Sequence, residues 1–233
     1  MNILVTGATK GIGRAIAEEL KSCGQVFVTG RNLAQLQSFC GAGFCRCDLS
    51  CETEILEKFI KEHQIDVLVN NAGEYVYGEI EKMTPEEVER IFKINLLSPV
   101  RLISVAIPHM KSQKWGRIVN IGSISGVMGE AFASLYSSSK SGLFGLTKAL
   151  ALELAQDGIT VNTINPGWVD TDLGLTSISE SEFSKEEIIE CIPQRRFVAP
   201  EEVAKLVKYL ISEEAKGITG QGINLCAGLS VGI

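Results

Sequence analysis

No stretch of the sequence approaches the ~18 consecutive apolar residues expected of a membrane span. The opening Met1-Asn2-Ile3-Leu4-Val5 is too short an apolar run for a secretory leader. A basic excess is also missing: 22 Lys+Arg face 28 Asp+Glu, for a net charge of −6. A mildly acidic surface argues against nucleic acid as the main partner, because phosphate binding needs a basic face. Histidine is scarce, at two residues. Cys45, Cys47 and Cys51 therefore lack the further ligands of a usual four-ligand zinc site. Two of them fall on an expected strand and read as small buried hydrophobes, so no metal is expected. With no leader and an odd count of seven cysteines, free thiols in a reducing, cytoplasmic setting are expected. Charged residues make up only 21% against 45% hydrophobic, which excludes a mostly disordered chain.

What is present is a regular alternation. Apolar runs predict strands at 3–6, 26–29, 44–47, 66–70, 117–121, 160–164 and 222–225. Apolar residues at consecutive positions suit parallel strands buried on both faces. Between them lie helical patterns at 11–23, 32–39, about 52–63, 136–155 and 200–211. Thr84-Pro85-Glu86-Glu87 starts another helix, with Thr as N-cap, Pro at the first position and acids in the first turn. Ser98-Pro99 starts one the same way. Pro108 is expected to bend or end that helix. The alternation predicts an α/β fold: one Rossmann-like, doubly wound parallel sheet of about seven strands, with helices on both faces. The 233 residues suit a single domain over 1–233. The Ser- and Glu-rich stretch at about 170–196 is expected to be a substrate-lid insertion, its serines favouring turns over rigid helix.

Thr6-Gly7-Ala8-Thr9-Lys10-Gly11-Ile12-Gly13 follows the first strand and opens the first helix. Gly7 permits a tight turn, Gly11 a close backbone approach to a pyrophosphate, and Gly13 close helix-to-strand packing. The helix start would then face the anion with free N–H groups. Readers of NAD place an acid after the second strand to hold the ribose 2′-hydroxyl. Here that place reads Thr29-Gly30-Arg31-Asn32, and no Asp or Glu occurs between Glu19 and Asp48. Arg31 and Lys10, with no carboxylate to oppose them, favour the 2′-phosphate of NADP(H).

Tyr136 and Lys140 stand four residues apart, on one helix face. An ammonium at ~4.5 Å in an effective dielectric near 20 would favour the phenolate by on the order of 4 kcal/mol, ~3 pKa units before desolvation is subtracted. That would bring the tyrosine near its working pH.

With these marks the chain closely resembles the short-chain dehydrogenase/reductase family, in its compact single-domain branch. The resemblance covers nearly the whole sequence. It is carried by residues 6–13, Asp48-Leu49, Asn70-Asn71-Ala72-Gly73, Asn95, Ser123, Tyr136 with Lys140, and Asn165-Pro166-Gly167 leading to Thr171. It implies that Tyr136 exchanges a proton with the substrate oxygen. It also implies that Lys140 lowers the tyrosine pKa and holds the nicotinamide ribose, and that Ser123 steadies the carbonyl oxygen. Asn95 would hold a water relaying protons from Lys140. Asp48 and Leu49 would flank the adenine, Asn71, Ala72 and Gly73 its ribose side, and Val169 and Thr171 the nicotinamide end. Structurally, Asn95 could instead cap or kink a helix, and Asn70 and Asn71 could be turn residues.

The implied activity is NADP(H)-dependent hydride transfer between nicotinamide and a carbonyl or secondary alcohol. The sequence looks closest to 3-oxoacyl-[acyl-carrier-protein] reductases, including Gly-Arg-Ile-Val-Asn at 116–120 and Gly-Ile-Thr-Val-Asn at 158–162. Those reductases often carry a basic residue before the second Gly to meet an acidic carrier. Asp157 stands there instead, with Lys114 near the other expected contact. A free ketone, sugar or polyol substrate is the alternative, and a non-catalytic NADP-sensing protein the rival of another class. Tyr75, Tyr77, Met128, Phe132 and Trp168 are expected around an apolar or ring-bearing substrate. The helix from Tyr136 is apolar on more than one face, and the family implies homotetramers or homodimers built partly on it.

Overall fold

Seven short segments rich in Val and Ile form one sheet in the computed structural model, which describes residues 1–180 and 183–231. They are Asn2–Val5 (β1), Gln25–Gly30 (β2), Gly43–Arg46 (β3), Val67–Asn70 (β4), Gly116–Ile121 (β5), Ile159–Pro166 (β6) and Gly222–Leu225 (β7). All pairings are parallel and the order is β3-β2-β1-β4-β5-β6-β7. β5 and β6 are buried along their whole length, as a parallel sheet covered on both faces requires. Alternate residues serve opposite cores. Ile3 and Val5 of β1 join a cluster with Ile16, Leu20, Val203 and Val207, while Leu4 between them joins Leu56, Ile60, Leu102 and Ile118.

The helices are Gly11–Leu20 (α1), Leu33–Gln37 (α2), Thr53–His63 (α3), Pro85–Phe92 (α4), Ser98–Gln113 (α5), Ser125–Met128 (α6), Ser134–Leu154 (α7), Asp172–Glu180 (α8), Lys185–Cys191 (α9) and Pro200–Leu210 (α10). Thr84 caps α4 as expected, and the structure adds a reciprocal box with Glu87. The strand order reverses between β1 and β4, so their connections leave in opposite directions. In such sheets that divergence opens a crevice at the carboxyl ends of the strands, where ligands bind.

Two expectations need correction. α5 runs through Pro108 to Gln113. The proline lies on the exposed face, where the carbonyl it leaves unpaired meets water. The irregularity falls instead at Lys93–Leu97, a π-helical turn joining α4 to α5. That fusion makes Pro85–Gln113 long and apolar enough, by length and composition alone, to cross a membrane. Its inner face is committed to the core through Leu102, Ile103, Ala106 and Met110. The expected turns at 170–196 are largely helical. Thr176 and Ser177 satisfy their hydroxyls on the carbonyls of Asp172 and Gly174 inside α8, and Ser184 caps α9 with Glu187. The part of that stretch at Ser181 lies outside the described residues. Both histidines are partly buried: His63 stacks on Phe59, and His109 pairs with Asp66 at 2.8 Å.

Cys45 and Cys47 are buried in the second core, as expected of small hydrophobes. α7 departs from uniform cover. Leu135, Leu143, Thr147, Ala151 and Leu154 are buried, while Gly145, Ala149 and Leu152 lie open on the far side.

Candidate active site

The β1–α1 loop forms one end of a cleft of about 870 Å³ along the carboxyl ends of the strands. Gly7 and Gly11 adopt φ of +63° and +54°, the left-handed region that favours glycine. A Cβ on Gly13 would stand 2.3 Å from the Gly7 carbonyl oxygen. Lys10 precedes α1 without a side-chain cap, so the first-turn N–H groups are available to an anion. On the same wall the buried Thr29 hydroxyl has no hydrogen-bond partner among the described residues. An open helix start, a glycine floor and an unpaired hydroxyl fit a dinucleotide phosphate.

Thr9, Ile12, Arg31, Asp48, Leu49, Ala72, Gly73, Val169 and Thr171 all line this cleft. Arg31 is exposed after β2, and Arg46 donates to its carbonyl at 3.1 Å. Arg46 was not anticipated; the parallel register Gly30↔Arg46 brings it there. Burial works against the Asp48 carboxylate. Hydrogen bonds from the Ser50 backbone and hydroxyl, with the Arg31 charge, nevertheless hold it below the usual carboxylate range. Lys10 is not free: its ammonium meets Asp172 of α8 at 3.0 Å. Thr171 stands over the loop, with its methyl 3.2 Å from where a Gly11 Cβ would lie. Asn71 braces the loop from below, donating to the carbonyls of Thr6 and Gly7. Its partner Asn70 is buried and bonded to Asn120, so neither is a mere turn residue.

Tyr136 and Lys140 reach the other end of the cleft from the first turns of α7, and Ser123 from the end of β5. Ser123 is buried and accepts from the Ser125 N–H at 3.1 Å. Lys140 is buried, and its ammonium donates to the Ile121 carbonyl at 2.8 Å. Burial pulls it down to about 8. Burial pushes Tyr136 up to about 12, against a lowering hydrogen bond with Ser123. This reverses the expected lowering of the tyrosine. Desolvation is the largest influence on the tyrosine, while the ammonium lies 5.7 Å from the ring centre and spends its hydrogen bond on a strand carbonyl. Asn95 sits in the π-helical turn and is buried. Its carbonyl oxygen accepts from Glu74 N at 2.8 Å, and its amide donates to Glu74 O and Ser139 Oγ. Both the Asn95 oxygen and the Lys140 nitrogen border Gly73, 3.4 and 3.2 Å from its would-be Cβ.

The five expected pocket neighbours Tyr75, Tyr77, Met128, Phe132 and Trp168 line the same end. The Tyr75 ring meets that of Tyr136 edge-on at 5.0 Å. Phe132 holds φ +62° and accepts from Gly78 N at 2.7 Å, which presents its ring beside Tyr77. Two polar residues here were missed. Glu130 accepts hydrogen bonds from Tyr75 at 2.7 Å and from Ser125 at 2.6 Å. Nothing local marks it, because its contact with Tyr75 spans 55 positions. The cations near the expected carrier contact are occupied too: Lys114 and Lys111 both pair with Asp157.

The family model described as "Enoyl-(Acyl carrier protein) reductase" matches residues 7–230. The 3-oxoacyl-[acyl-carrier-protein] reductase FabG of Buchnera aphidicola is 39% identical, over 97% of this chain and 96% of that protein. The D-beta-hydroxybutyrate dehydrogenase of Cupriavidus necator is 36% identical over the same shares. Among solved structures, an actinorhodin polyketide ketoreductase variant with NADPH superposes with a TM-score of 0.93 and 35% identity, over 99% of this chain and 97% of that one.

Proposed function

The chain belongs to the short-chain dehydrogenase/reductase family, and on that premise we propose that it is an NADP(H)-dependent carbonyl reductase whose leading substrate class is the 3-oxoacyl thioester. The observation that carries this reading is convergence. Ser123, Tyr136 and Lys140 meet at one end of the cleft whose other end is the glycine loop. The loop backbone from Gly7 to Gly13 with Thr9 and Lys10 would hold the phosphates, and Arg31 the 2′-phosphate. Asp48, Leu49, Asn71, Ala72 and Gly73 would line the adenosine side, and Val169 and Thr171 the nicotinamide side. Bound nicotinamide supplies the hydride.

The remaining chemistry belongs to this chain. Ser123 donates a hydrogen bond to the carbonyl oxygen and fixes its place. Tyr136, protonated at neutral pH, gives that oxygen its proton as negative charge develops there. Lys140 stands behind the tyrosine, where its charge stabilises the phenolate left by transfer. Asn95, locked to the Glu74 backbone, fixes the floor beside Lys140 and borders the route by which a proton returns. α8 and α9 cover the substrate end and exclude water. The open face of α7 around Gly145, Ala149 and Leu152 fits a second copy of the chain, in a cytoplasmic homodimer or homotetramer.

A free ketone, sugar or polyol is favoured as a second reading by one observation: Asp157 already engages Lys111 and Lys114, so they offer an acidic carrier little. The relatives also span a carrier-bound acyl group and a free hydroxy acid, so the family alone does not fix the charge of the substrate.

Loss of nicotinamide absorbance with NADPH and a panel of ketones, 3-oxo esters and thioesters tests the reading. Tyr136→Phe should bind NADPH as the wild type does and lose ~10²–10⁴ in turnover. Near-wild-type kcat in that variant would remove Tyr136 from the mechanism. Binding of NADPH without turnover of any carbonyl would favour the sensing protein.

A further inference from the structure

Glu130 is a carboxylate at the substrate end of the cleft that the proposed mechanism does not use. It is half-buried and lines the same wall as Ser123 and Tyr136. Its side chain is fixed at both oxygens. Tyr75 donates to Oε1 at 2.7 Å and Ser125 to Oε2 at 2.6 Å. The Ser125 hydroxyl is in turn 3.2 Å from that of Ser123. The carboxylate thus stands two hydrogen bonds from the group that would hold the reacting oxygen. The Tyr75 ring packs against Tyr136 at 5.0 Å, which holds the assembly beside the proton donor.

No cation balances this charge. Among the described residues Glu130 forms no ion pair, and the basic residues lining the cleft are Lys10, Arg31 and Lys140. Lys10 is engaged by Asp172. Arg31 belongs to the adenosine end. Lys140 is buried against the Ile121 carbonyl. Tyr77, Met128, Phe132 and Trp168 line the same end, and the covering helices add Thr176, Ser177 and Glu187, whose Oε2 already takes two hydrogen bonds from Ser184. A carboxylate held by two neutral hydroxyls, with no cation beside it, has further acceptor lone pairs to offer. It therefore repels an anion and welcomes a neutral group or a hydrogen-bond donor.

We propose that Glu130 is a specificity-determining residue that sets the charge of the substrate: the site takes uncharged carbonyl compounds, such as 3-oxo esters, thioesters and hydroxyketones, and rejects 3-oxo acids with a free carboxylate beside the reacting carbonyl. The inference rests on the reading of Ser123 and Tyr136 as the contacts of the carbonyl oxygen. Two like charges ~6 Å apart in an effective dielectric near 20 repel enough to weaken binding on the order of a hundredfold.

The test compares ethyl acetoacetate with acetoacetate, which differ by a charge at one end. Dissociation constants are measured by calorimetric titration into the full-length protein saturated with NADP⁺, so that no turnover is needed. The wild type should bind the ester on the order of a hundredfold more tightly than the acid. In Glu130→Gln, which keeps the shape and an acceptor oxygen, that ratio should fall at least about tenfold. Ser125→Ala leaves the charge in place and should keep most of the discrimination, which a merely structural role for the cluster would not. Equal affinities in the wild type, no binding of the ester, or the same ratio in Glu130→Gln would each overturn the proposal. Should Glu130→Gln fail to fold, the wild-type ratio at about 0.5 M salt decides. Discrimination by charge shrinks under screening and discrimination by shape does not. Parallel turnover assays separate the two readings: charge-selective binding with neither compound reduced upholds Glu130 and sinks the reductase.

Discussion

The Lys140 ammonium lies 5.7 Å from the centre of the Tyr136 ring and gives its hydrogen bond to the carbonyl of Ile121. One turn of α7 puts the two side chains on the same face, but β5 supplies the acceptor that anchors the lysine. With burial lowering Lys140 to about 8 and raising Tyr136 to about 12, the lysine is the group that titrates nearer neutrality in the cofactor-free protein.

That ordering has a signature in stability. The folded value of about 8 lies below the ordinary 10.5 of lysine. Between those values the unfolded chain binds more protons, so the lysine makes stability rise as pH increases from 8 to 10.5. Below pH 8 the whole cost of burying the charge is present. Lys140→Met removes this dependence. The stability of the variant minus that of the wild type should therefore fall by about 2–3 kcal/mol between pH 7 and pH 10.5. Urea unfolding at intervals across that range measures it, and a constant difference would show that Lys140 is not depressed.

Arg31 decides the cofactor. NADPH should bind more tightly than NADH, and Arg31→Asp should weaken NADPH by ~1.5–3 kcal/mol, shrinking or inverting the preference. Nicotinamide fluorescence titrations read both constants. Arg46→Ala should produce a smaller loss for NADPH and none for NADH. Equal wild-type affinities for the two cofactors would remove Arg31 from this role.

Lys10 and Asp172 join the glycine loop to the first helix of the cover. Both are well exposed, so the pair is worth little to stability. Its effect is on the cofactor, because Asp172 engages the cation and sets an anion beside the phosphates. Asp172→Asn should tighten NADPH by roughly two- to fivefold at low salt, with the gain fading as salt rises. Amide exchange along α8 should slow when NADPH and a substrate analogue are added to the wild type. Identical protection in both states would show that this segment is a fixed wall.

Periodicity made the sheet legible. Runs such as Val67-Leu68-Val69 have no polar face to give to water, so they had to become strands covered on both sides. The glycine loop was readable because left-handed φ and close approach leave few other residues possible at Gly7, Gly11 and Gly13. The placement of Tyr136 and Lys140 on one face followed from helix geometry alone. Their pKa order did not. It depends on how much water the packed sheet excludes and on a carbonyl contributed 19 positions away by Ile121. The Ser-rich cover was misread as turns because propensity is a weak prior: serines with carbonyls one turn back, and a capping glutamate, make serviceable helix. Glu130 lay beyond any local pattern. Its neighbour Tyr75 follows β4 while Ser125 and Glu130 itself follow β5, and only the parallel pairing of those strands brings the two connections to one wall. The sequence by itself determined the sheet, the phosphate loop and the residue types of the reaction, because each rests on spacing along the chain. The tertiary structure alone decided the charge at the substrate end and the protonation of the tyrosine–lysine pair, because both arise from groups distant in sequence sharing a space from which water is excluded.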